Sequence, residues 1–487
     1  MRDKLNEPFA FVIFGGSGDL SRRKLLPALH HLASLGYMPE KYAVIGVSRT
    51  PMSDEDYRQF VQKAIEEHEQ AEHENPAADS LLKFVYYHAG DTTKPEAFVE
   101  LQRKLETLDK ELGLGGNRVY YLAVAPDLTP TIVKHLAANG MLKQRDGSWI
   151  RVVFEKPFGR DLESARKLNA AIREVLTEEQ IYRIDHYLGK ETVQNILSFR
   201  FGNSIFEPLF NRTHVNSIRI TVAESGGMEG RRGEYYDSAG ALRDIVQNHI
   251  LQLLCLIAME PPASFNAEAI RDEKVKVLHA LPALSPKEVA ESTVRGQYHG
   301  YRNEPGVNPN STTETYVALR TTIENWRWSG VPVFIQTGKK LWTRLTDIQI
   351  EFNPVPLCLF RNFADCPPNS NRLVMRIQPD EGISLSFVAK QPGTSFALQD
   401  VTMDFSYGKA FGQRLPEAYE RLLLDVLRGD PSLFTRSDEV ELAWQFVSRI
   451  LEGWSRVPPP EFPNYEPGSR GPAEASRLLN PSQIRRQ

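Results

Sequence analysis

Apolar runs and helical patterns alternate along the first part of the chain, from Phe9 to about Ile184. Each strand-like run is followed by a segment in which apolar residues recur at helical spacing. The pairs are FAFVIF then LLPALHHLASLG, YAVIGV then DYRQFVQKAIEEH, KFVYYHAG then PEAFVELQRKLETL, RVYYLAVA then TPTIVKHLAANG, and IRVVFEKP then ESARKLNAAIREVL. This order predicts βαβ units wound into a parallel sheet, and therefore an α/β domain.

The pattern changes after QIYRI, which ends at Ile184. Strands with more alternation follow, separated by long loops and a few helices: NSIRITVAE, TYVALRTTI, DIQIEF, NRLVMRIQP and GISLSFVAK. They predict an α+β domain with a large, mostly antiparallel sheet. We expect the boundary near residues 182–200, which gives domains 1–184 and 185–487. Residues 467–487 are rich in Pro, Ser and Arg and are expected to form a loosely attached tail.

A glycine-rich turn follows the first predicted strand, in IFGGSGDLSRRKLLPAL. Gly16-x-Gly18-x-x-Ser21 fits the dinucleotide-binding fingerprint, with a small residue in the place of its last glycine. A strand, turn and helix in this order point backbone N–H groups at a pyrophosphate. We therefore predict a Rossmann-type dinucleotide-binding domain; a merely tight turn is the alternative. Asp19, at the helix start, is expected to accept backbone N–H bonds as an N-cap.

The end of the second predicted strand indicates which dinucleotide is bound. An acid at this place binds the ribose 2′-hydroxyl of NAD, whereas an arginine accommodates the 2′-phosphate of NADP. YAVIGVSRT ends in Ser48-Arg49 and contains no acid. The sequence therefore favours NADP, with NAD as a weaker alternative, because an arginine in a loop does not exclude NAD.

Composition excludes several other classes of protein. The 487 residues carry a net charge of −4, which gives no general attraction to nucleic acid or to an acidic membrane surface. No segment approaches the roughly 18 to 20 apolar residues that span a bilayer. The three cysteines form no CxxC, which argues against a zinc site or a disulfide framework and for a cytoplasmic protein. We expect no metal.

Chemistry is expected where the two domains meet, because open α/β sheets bind ligands beyond the carboxyl ends of their strands. In RVVFEKPFGRD an apolar strand runs into Glu155-Lys156-Pro157, and Lys156 would project into the cleft. An ordinary surface lysine is the alternative. The sequence leaves open whether the Lys156–Pro157 bond is cis or trans.

The segment YRIDHYLGKE supplies a second group of polar residues. If it becomes helical after the strand, His186 and Lys190 lie four residues apart and share one face, so both could bind one anionic group such as a sugar phosphate. Asp185 would then point elsewhere and be free for another partner. An exposed surface pair is the alternative.

The third group lies in GALRDIVQNHILQLLCLIAM, where apolar residues bury most of a predicted helix. Asp244, Asn248 and Gln252 form a polar stripe at α-helical spacing, with His249 beside it. Buried polar groups need partners, so the cluster indicates a ligand or a matched acid. A histidine that is satisfied within the core is the alternative.

Four motifs in order, GGSGDLSRRKLLPAL, EKPFGRDL, RIDHYLGKE and RDIVQNHILQLL, resemble the glucose-6-phosphate dehydrogenase family. The likeness extends from Phe11 to about Pro472, and RIDHYLGKE is highly specific. The resemblance implies NADP-dependent oxidation of glucose 6-phosphate to its lactone in the oxidative pentose phosphate pathway. It also implies that His249 removes the proton of the C1 hydroxyl while Asp185 holds and polarises the imidazole, as a general base requires.

The resemblance also implies the binding residues. The substrate phosphate would be bound by His186, Tyr187 and Lys190. The rest of the sugar pocket would be formed by Lys156, Glu224, Asp244, Lys339 and Arg344. The cofactor would be bound by Gly15, Gly16, Ser17, Gly18, Asp19, Leu20, Arg49, Asp91, Ala123 and Lys156.

Several positions depart from the family pattern: Ala125 replaces a proline in YLAVAP, Arg470 replaces a tryptophan in GSRGP, a VDPIL-like segment reads VSRIL, and GGMEGRRGEYYD carries an extra residue. A sugar dehydrogenase of the Gfo/Idh/MocA type and a catalytically silent NADP-binding regulator are the rival interpretations. The first would need no phosphate-binding pair, and the second would lack the base. We expect a homodimer or homotetramer formed through the C-terminal sheet, because a large exposed sheet is usually covered.

Overall fold

The computed structural model describes residues 4–68, 81–145, 147–228, 232–357, 359–360, 371–394, 396–412 and 415–480. The N-terminal strands are β1 Phe9–Phe14, β2 Tyr42–Ser48, β3 Val85–Ala89, β4 Arg118–Leu122, β5 Ile150–Phe154 and β6 Ile181–Arg183. The helices between them are α1 Leu26–Ser34, α2 Asp54–His68, α3 Pro95–Leu112, α4 Thr129–Ala138 and α5 Leu162–Arg173. A short π-helix, Ser21–Leu25, leads into α1.

The six N-terminal strands form one parallel sheet in the order β3-β2-β1-β4-β5-β6. Strand β1 is buried along its whole length, which explains its uninterrupted apolar sequence. The strand order reverses between β1 and β4, and a dinucleotide binds at this point in doubly wound sheets. The α/β prediction for this part of the chain is confirmed.

The second half begins with α6 Glu191–Phe201. Its strands are β7 Val215–Ala223, β8 Thr293–Gly296, β9 Tyr316–Thr321, β10 Val333–Gly338, β11 Leu345–Phe352, β12 Arg372–Gln378, β13 Gly382–Lys390 and β14 Leu398–Ser406. Its further helices are α7 Arg232–Ala241, α8 Leu251–Ala258, α9 Ala267–His279, α10 Pro286–Ser292, α11 Tyr407–Phe411, α12 Ala418–Arg428, α13 Ser437–Ser455 and α14 Ala473–Leu478. A π-helix, Leu242–Ile250, joins α7 to α8.

These strands form an eight-stranded sheet in the order β14-β13-β12-β11-β7-β10-β9-β8. Among the described residues of this sheet, β7 and β10 are the only parallel neighbours, and all other neighbouring strands are antiparallel. The predicted large, mostly antiparallel sheet is therefore confirmed. One face is apolar and packs against the π-helix Leu242–Ile250, and residues such as Ile218, Ile220 and Val333 share one core cluster with residues of α8 and α13. The alternate residues of β7 include Arg219 and Thr221, which belong to the opposite face.

The chain does not divide cleanly into an N-terminal and a C-terminal core. Leu422, Leu423, Val426 and Leu427 of α12 join the core cluster formed by one face of the N-terminal sheet and α1. A segment from the C-terminal part thus completes the N-terminal core. The boundary at residue 184 stays a prediction.

Residues 467–480 are packed against the second half, which corrects the expected loosely attached tail for this part. Ala475 of α14 is buried, and the Arg219 guanidinium donates to the carbonyl of Leu479 at 2.6 Å. The Arg470 guanidinium lies 4.7 Å from the centre of the Trp342 ring. The reason is that the few apolar side chains of this segment face the sheet. Residues 481–487 lie outside the described residues.

Candidate active site

The three predicted segments meet beyond the carboxyl ends of β5 and β6. Lys156 follows β5 by two residues, and its bond to Pro157 is cis. Asp185 lies just after β6, and His249 lies near the end of the π-helix that precedes α8. Topology brings these residues together, as predicted for the carboxyl edge of a parallel sheet.

His249 and Asp185 form a buried pair. The Nδ1 atom of His249 lies 2.5 Å from Oδ1 of Asp185, and the two residues are only 1% and 3% exposed. Burial raises the pKa of Asp185, but the adjacent His249 lowers it by more, so the net pKa is below its usual value. Burial lowers the pKa of His249, and Asp185 offsets this only in part. The pair is therefore a neutral imidazole that donates its Nδ1–H to a carboxylate, which leaves a lone pair on Nε2.

Lys156 contacts that lone pair. Its Nζ lies 3.0 Å from Nε2 of His249 and donates to Oδ1 and to the backbone carbonyl of Asp244, at 3.2 and 3.1 Å. Burial raises the pKa of Asp244, but Lys156 and Lys339 lower it below the usual value. Asp244 is therefore ionised and can accept hydrogen bonds.

The π-helix changes the predicted polar stripe. Asp244 and His249 are five residues apart and both contact Lys156, which fits the wider turn of a π-helix. The backbone N–H of His249 donates to Oδ1 of Asn248 at 2.6 Å, and the Gln252 amide donates to Glu439 at 3.2 Å. The prediction of one stripe through Asp244, Asn248 and Gln252 is therefore wrong, because it assumed α-helical spacing throughout.

The segment from Asp185 to Lys190 is a series of turns, and α6 begins only at Glu191. The proposed helical face of His186 and Lys190 is therefore corrected, although both side chains lie near the buried pair. The ring centre of Tyr187 is 4.2 Å and that of His186 is 4.6 Å from His249. Lys190 Nζ lies 5.1 Å from the centre of the Tyr187 ring. The turns hold three donor-bearing side chains in one group.

Lys190 is half-buried and positioned by residues of the large sheet. Its Nζ donates to Oε1 of Gln378 at 2.7 Å, and the Gln378 amide donates to Thr346 at 3.1 Å. Burial lowers the pKa of Lys190, and the exposed Arg344 nearby lowers it further. Two cations that destabilise each other in this way favour an anion between them.

Gln378 and Thr346 were not predicted as site residues. Thr346 Oγ1 also lies 3.4 Å from the Tyr187 hydroxyl. Both residues occur in ordinary strand sequences, and only the pairing of β11 with β12 brings them beside Lys190. The sequence contains no spacing signal that could have found them.

Glu224 and Lys339 form an ion pair near Asp244. They follow β7 and β10, which are parallel neighbours, so their positions match across the sheet edge. Lys339 Nζ bonds Oε2 of Glu224 at 2.5 Å and lies 5.3 Å from the centre of the Tyr236 ring. This is an arrangement of paired donors and acceptors suited to sugar hydroxyls.

The glycine turn forms a close-packed cradle at the end of β1. Gly15 has φ +83°, and a Cβ on Gly16 would lie 2.5 Å from the Cα of Gly46. Side chains are therefore excluded where a pyrophosphate would approach the backbone. Ser17 donates its N–H to the Ser48 hydroxyl at 3.1 Å, which links the turn to the end of β2. A dinucleotide fits this cradle.

The other predicted cofactor residues lie around this turn. Arg49 is exposed directly after β2, and Asp91 follows β3, with its carboxylate accepting bonds from Thr93 at 3.0 and 2.7 Å. Ala123 follows β4, and a side chain on Gly15 would meet its carbonyl. Asp19 is exposed and forms an ion pair with Arg23 at 3.7 Å. The predicted N-cap bond of Asp19 is therefore wrong, because the N-cap residue of this segment is Leu20, without a side-chain cap bond. Leu20 begins the helical segment next to it.

Asp185, His186 and His249 also form a group whose ligand atoms lie within 4.8 Å of one another. Within this group, the hydrogen bond between His249 and Asp185 occupies Nδ1 of the imidazole. The geometry is thus that of a hydrogen-bonded pair with a neighbouring ring.

Comparisons with known proteins agree with this geometry. The family model "Glucose-6-phosphate dehydrogenase, NAD binding domain" matches residues 12–195, and "Glucose-6-phosphate dehydrogenase, C-terminal domain" matches residues 197–486. Glucose-6-phosphate 1-dehydrogenase 2 of Mycobacterium bovis is 44% identical over 97% of this chain and 93% of its own length. The enzyme of Aggregatibacter actinomycetemcomitans is 44% identical over 97% and 96%.

Solved structures show the same likeness. A glucose-6-phosphate dehydrogenase in complex with its substrate glucose 6-phosphate has a TM-score of 0.89 at 35% identity and covers 98% of both chains. The glucose-6-phosphate 1-dehydrogenase of Mycobacterium avium has a TM-score of 0.84 at 39% identity, over 98% of this chain and 97% of its own. No helix among the described residues is long and apolar enough to cross a membrane. With both halves matched in order, the chain belongs to the glucose-6-phosphate dehydrogenase family.

Proposed function

We propose that this protein oxidises glucose 6-phosphate at C1 to 6-phosphoglucono-1,5-lactone with NADP, the first step of the oxidative pentose phosphate pathway. The observation that carries the proposal is the buried His249–Asp185 pair, whose imidazole lies beside the rings of His186 and Tyr187, with Lys190 next to Tyr187. A base with a group of anion-binding donors beside it suits a sugar that carries a phosphate. Family membership supports the same reaction.

His249 acts as the general base. Its Nε2 takes the proton of the C1 hydroxyl as the hydride leaves C1, and the positive charge that develops on the ring is stabilised by Asp185. The carboxylate also fixes the tautomer, because the Nδ1–H stays donated to Oδ1 of Asp185. The nicotinamide, when bound, accepts the hydride.

The remaining residues bind and orient the sugar. His186, Tyr187, Lys190 and Arg344 bind the phosphate, while Glu224, Asp244 and Lys339 exchange hydrogen bonds with the hydroxyls. Lys156 contacts both the sugar and the cofactor. Holding the substrate at both ends fixes C1 against His249, which lowers the entropic cost of reaching the transition state.

The cofactor is NADP, held by Gly15 to Leu20, Asp91 and Ala123. Arg49 lies exposed after β2, where it would bind the 2′-phosphate, and NAD is the weaker alternative. The close approach of the glycine turn to β2 and β4 supports a bound dinucleotide.

We further propose a homodimer or homotetramer in the cytoplasm. The polar face of the large sheet and its edge strand β14, which is largely exposed, are the surfaces that a second copy would cover. The sparse cysteines, of which Cys255 is buried and free, fit a reducing compartment.

Initial rates test the function. The purified protein is assayed with glucose 6-phosphate or glucose, each with NADP and with NAD, by the absorbance of the reduced nicotinamide. We expect turnover with glucose 6-phosphate and NADP to exceed the other combinations. Equal rates with unphosphorylated glucose would support the rival sugar dehydrogenase, and no turnover with any combination would support a silent regulator.

A further inference from the structure

The residue that precedes Lys156 has a set of contacts that the proposed reaction does not use. Glu155 extends from β5, and its Oε1 accepts a hydrogen bond from the Tyr121 hydroxyl at 2.5 Å and from the Tyr419 hydroxyl at 3.1 Å. Tyr121 is a fully buried residue of β4, and Tyr419 lies in the first turn of α12. One carboxylate oxygen thus joins two strands of the N-terminal sheet to a helix from the C-terminal part.

The side chains of Glu155 and Lys156 have separate sets of partners. Glu155 bonds the two tyrosines, whereas Lys156 contacts Asp244 and His249. The two residues are consecutive and follow directly after β5, which ends at Phe154. The bonds from Tyr121 and Tyr419 therefore fix the backbone from which the Lys156 side chain projects.

The charge of Glu155 needs a reason beyond packing. Burial raises the pKa of Glu155, while the hydroxyls of Tyr121 and Tyr419 and the charge of Lys156 lower it again. Among the described residues no ion pair includes Glu155. When ionised, this carboxylate attracts the Lys156 ammonium, and the attraction opposes displacement of the lysine.

The first turn of α12 also contacts the turns that bind the phosphate. A side chain on Gly189 would lie 2.5 Å from the carbonyl of Ala418, and Glu417 pairs with Lys24 at 2.8 Å. The helix that carries Tyr419 is thus held against the turn at Gly189 and against the π-helix that follows the glycine turn.

We propose that Glu155, held by Tyr121 and Tyr419, is a positioning residue that keeps Lys156 aimed at the reacting carbon and the cofactor. The inference rests on the proposed role of Lys156 in this reaction. It assigns no contact between Glu155 and substrate.

The test is a double-mutant cycle on kcat/KM for glucose 6-phosphate, using Glu155→Gln and Lys156→Met. Glu155→Gln keeps the size and an acceptor oxygen but removes the charge. We expect it to lower kcat/KM roughly tenfold, as for loss of a charged hydrogen-bonded group, and to have less than about a twofold effect when Lys156 is already methionine. A purely structural role would lower both backgrounds alike, and that result would overturn the inference.

Tyr120→Phe is the matched control, because Tyr120 is the neighbouring buried tyrosine of β4 and its hydroxyl bonds the carbonyl of Met141 at 3.3 Å on the opposite face. It should retain parental kinetics. If Glu155→Gln does not fold, Tyr121→Phe with Tyr419→Phe replaces it in the cycle, since this pair changes no charge. If the variants of Glu155 or of its two tyrosines keep parental kinetics while Lys156→Met is impaired, the inference about Glu155 is overturned and the role of Lys156 stands. If Lys156→Met itself keeps parental kinetics, the proposed role of Lys156 is removed.

Discussion

The ammonium of Lys156 lies 3.0 Å from Nε2 of His249, the atom that we propose receives the substrate proton. In the proposed mechanism the C1 hydroxyl needs the same lone pair, so the ammonium and the hydroxyl compete for Nε2. Asp244 offers the ammonium a second partner at 3.2 Å. The pair thus links substrate entry to the electrostatics of the base.

Removing this cation should change the pH dependence of the reaction. Burial lowers the pKa of His249, Asp185 raises it, and Lys156 lowers it again. Lys156→Met should therefore raise the pKa of His249. Because the base must be neutral, the acidic limb of kcat/KM should shift to higher pH. The measurement is kcat/KM against pH, with Lys167→Met as the control for an exposed lysine in an ion pair. A limb that stays in place or shifts to lower pH would contradict the assignment of Lys156.

His249→Ala tests the base itself. Turnover should fall by roughly 10²- to 10⁴-fold, the usual effect of losing a general base, while NADP and glucose 6-phosphate still bind. Binding is measured by titration calorimetry and turnover by initial rates. Near-parental turnover would remove the proposed mechanism.

Lys190→Met tests recognition of the phosphate. The ammonium is half-buried and held by Gln378, so its loss should leave the anion without its main charged donor. We expect kcat/KM for glucose 6-phosphate to fall about 10- to 100-fold, with little change for unphosphorylated glucose. Rates with both sugars supply the measurement, and an equal loss for both would show that Lys190 does not bind the phosphate.

Arg49→Ala tests the choice of cofactor. Arg49 is exposed at the end of β2, and its removal should weaken binding of the 2′-phosphate without altering the fold. The preference for NADP over NAD should fall roughly 10- to 100-fold, mainly through KM for NADP. Arg160→Ala is the control variant, because Arg160 is also an exposed arginine but is distant in sequence from Arg49. An unchanged preference would leave the selection of NADP without an assigned residue.

The sequence predicts those parts of the molecule that depend on regular spacing. Strand β1 is buried on both faces, so it appears in the sequence as an uninterrupted apolar run that ends at the glycine turn. Such runs, alternating with helical patterns, predict the βαβ order. The large sheet is predicted for the same reason, since Ile218 and Ile220 of β7 alternate with polar residues.

The local geometry of the site is less predictable. Asp244 and His249 were placed on an α-helix, but a π-helix brings both to Lys156, and no sequence spacing reveals such a change. Gln378 reaches Lys190 through strand pairing across the sheet. These contacts result from tertiary packing, so the motifs identify the residues but not their arrangement.

The start of the π-helix offers a last test, at Gly240. This residue has φ +74°, and a side chain on it would collide with the carboxylate of Glu314, which accepts a bond from the N–H of Leu242 at 3.1 Å. Gly240→Ala should therefore lower the free energy of unfolding by about 1 to 3 kcal/mol and displace the turn that carries Asp244 and His249. Thermal unfolding and kcat/KM are measured together, with Gly147→Ala as the control, because Gly147 also has positive φ but has open space around it. Gly147→Ala should lose only the stability that positive φ costs and keep its activity, whereas Gly240→Ala should lose more stability and also activity, because its side chain meets Glu314. Retained activity in Gly240→Ala would show that the register of the helix does not depend on this contact.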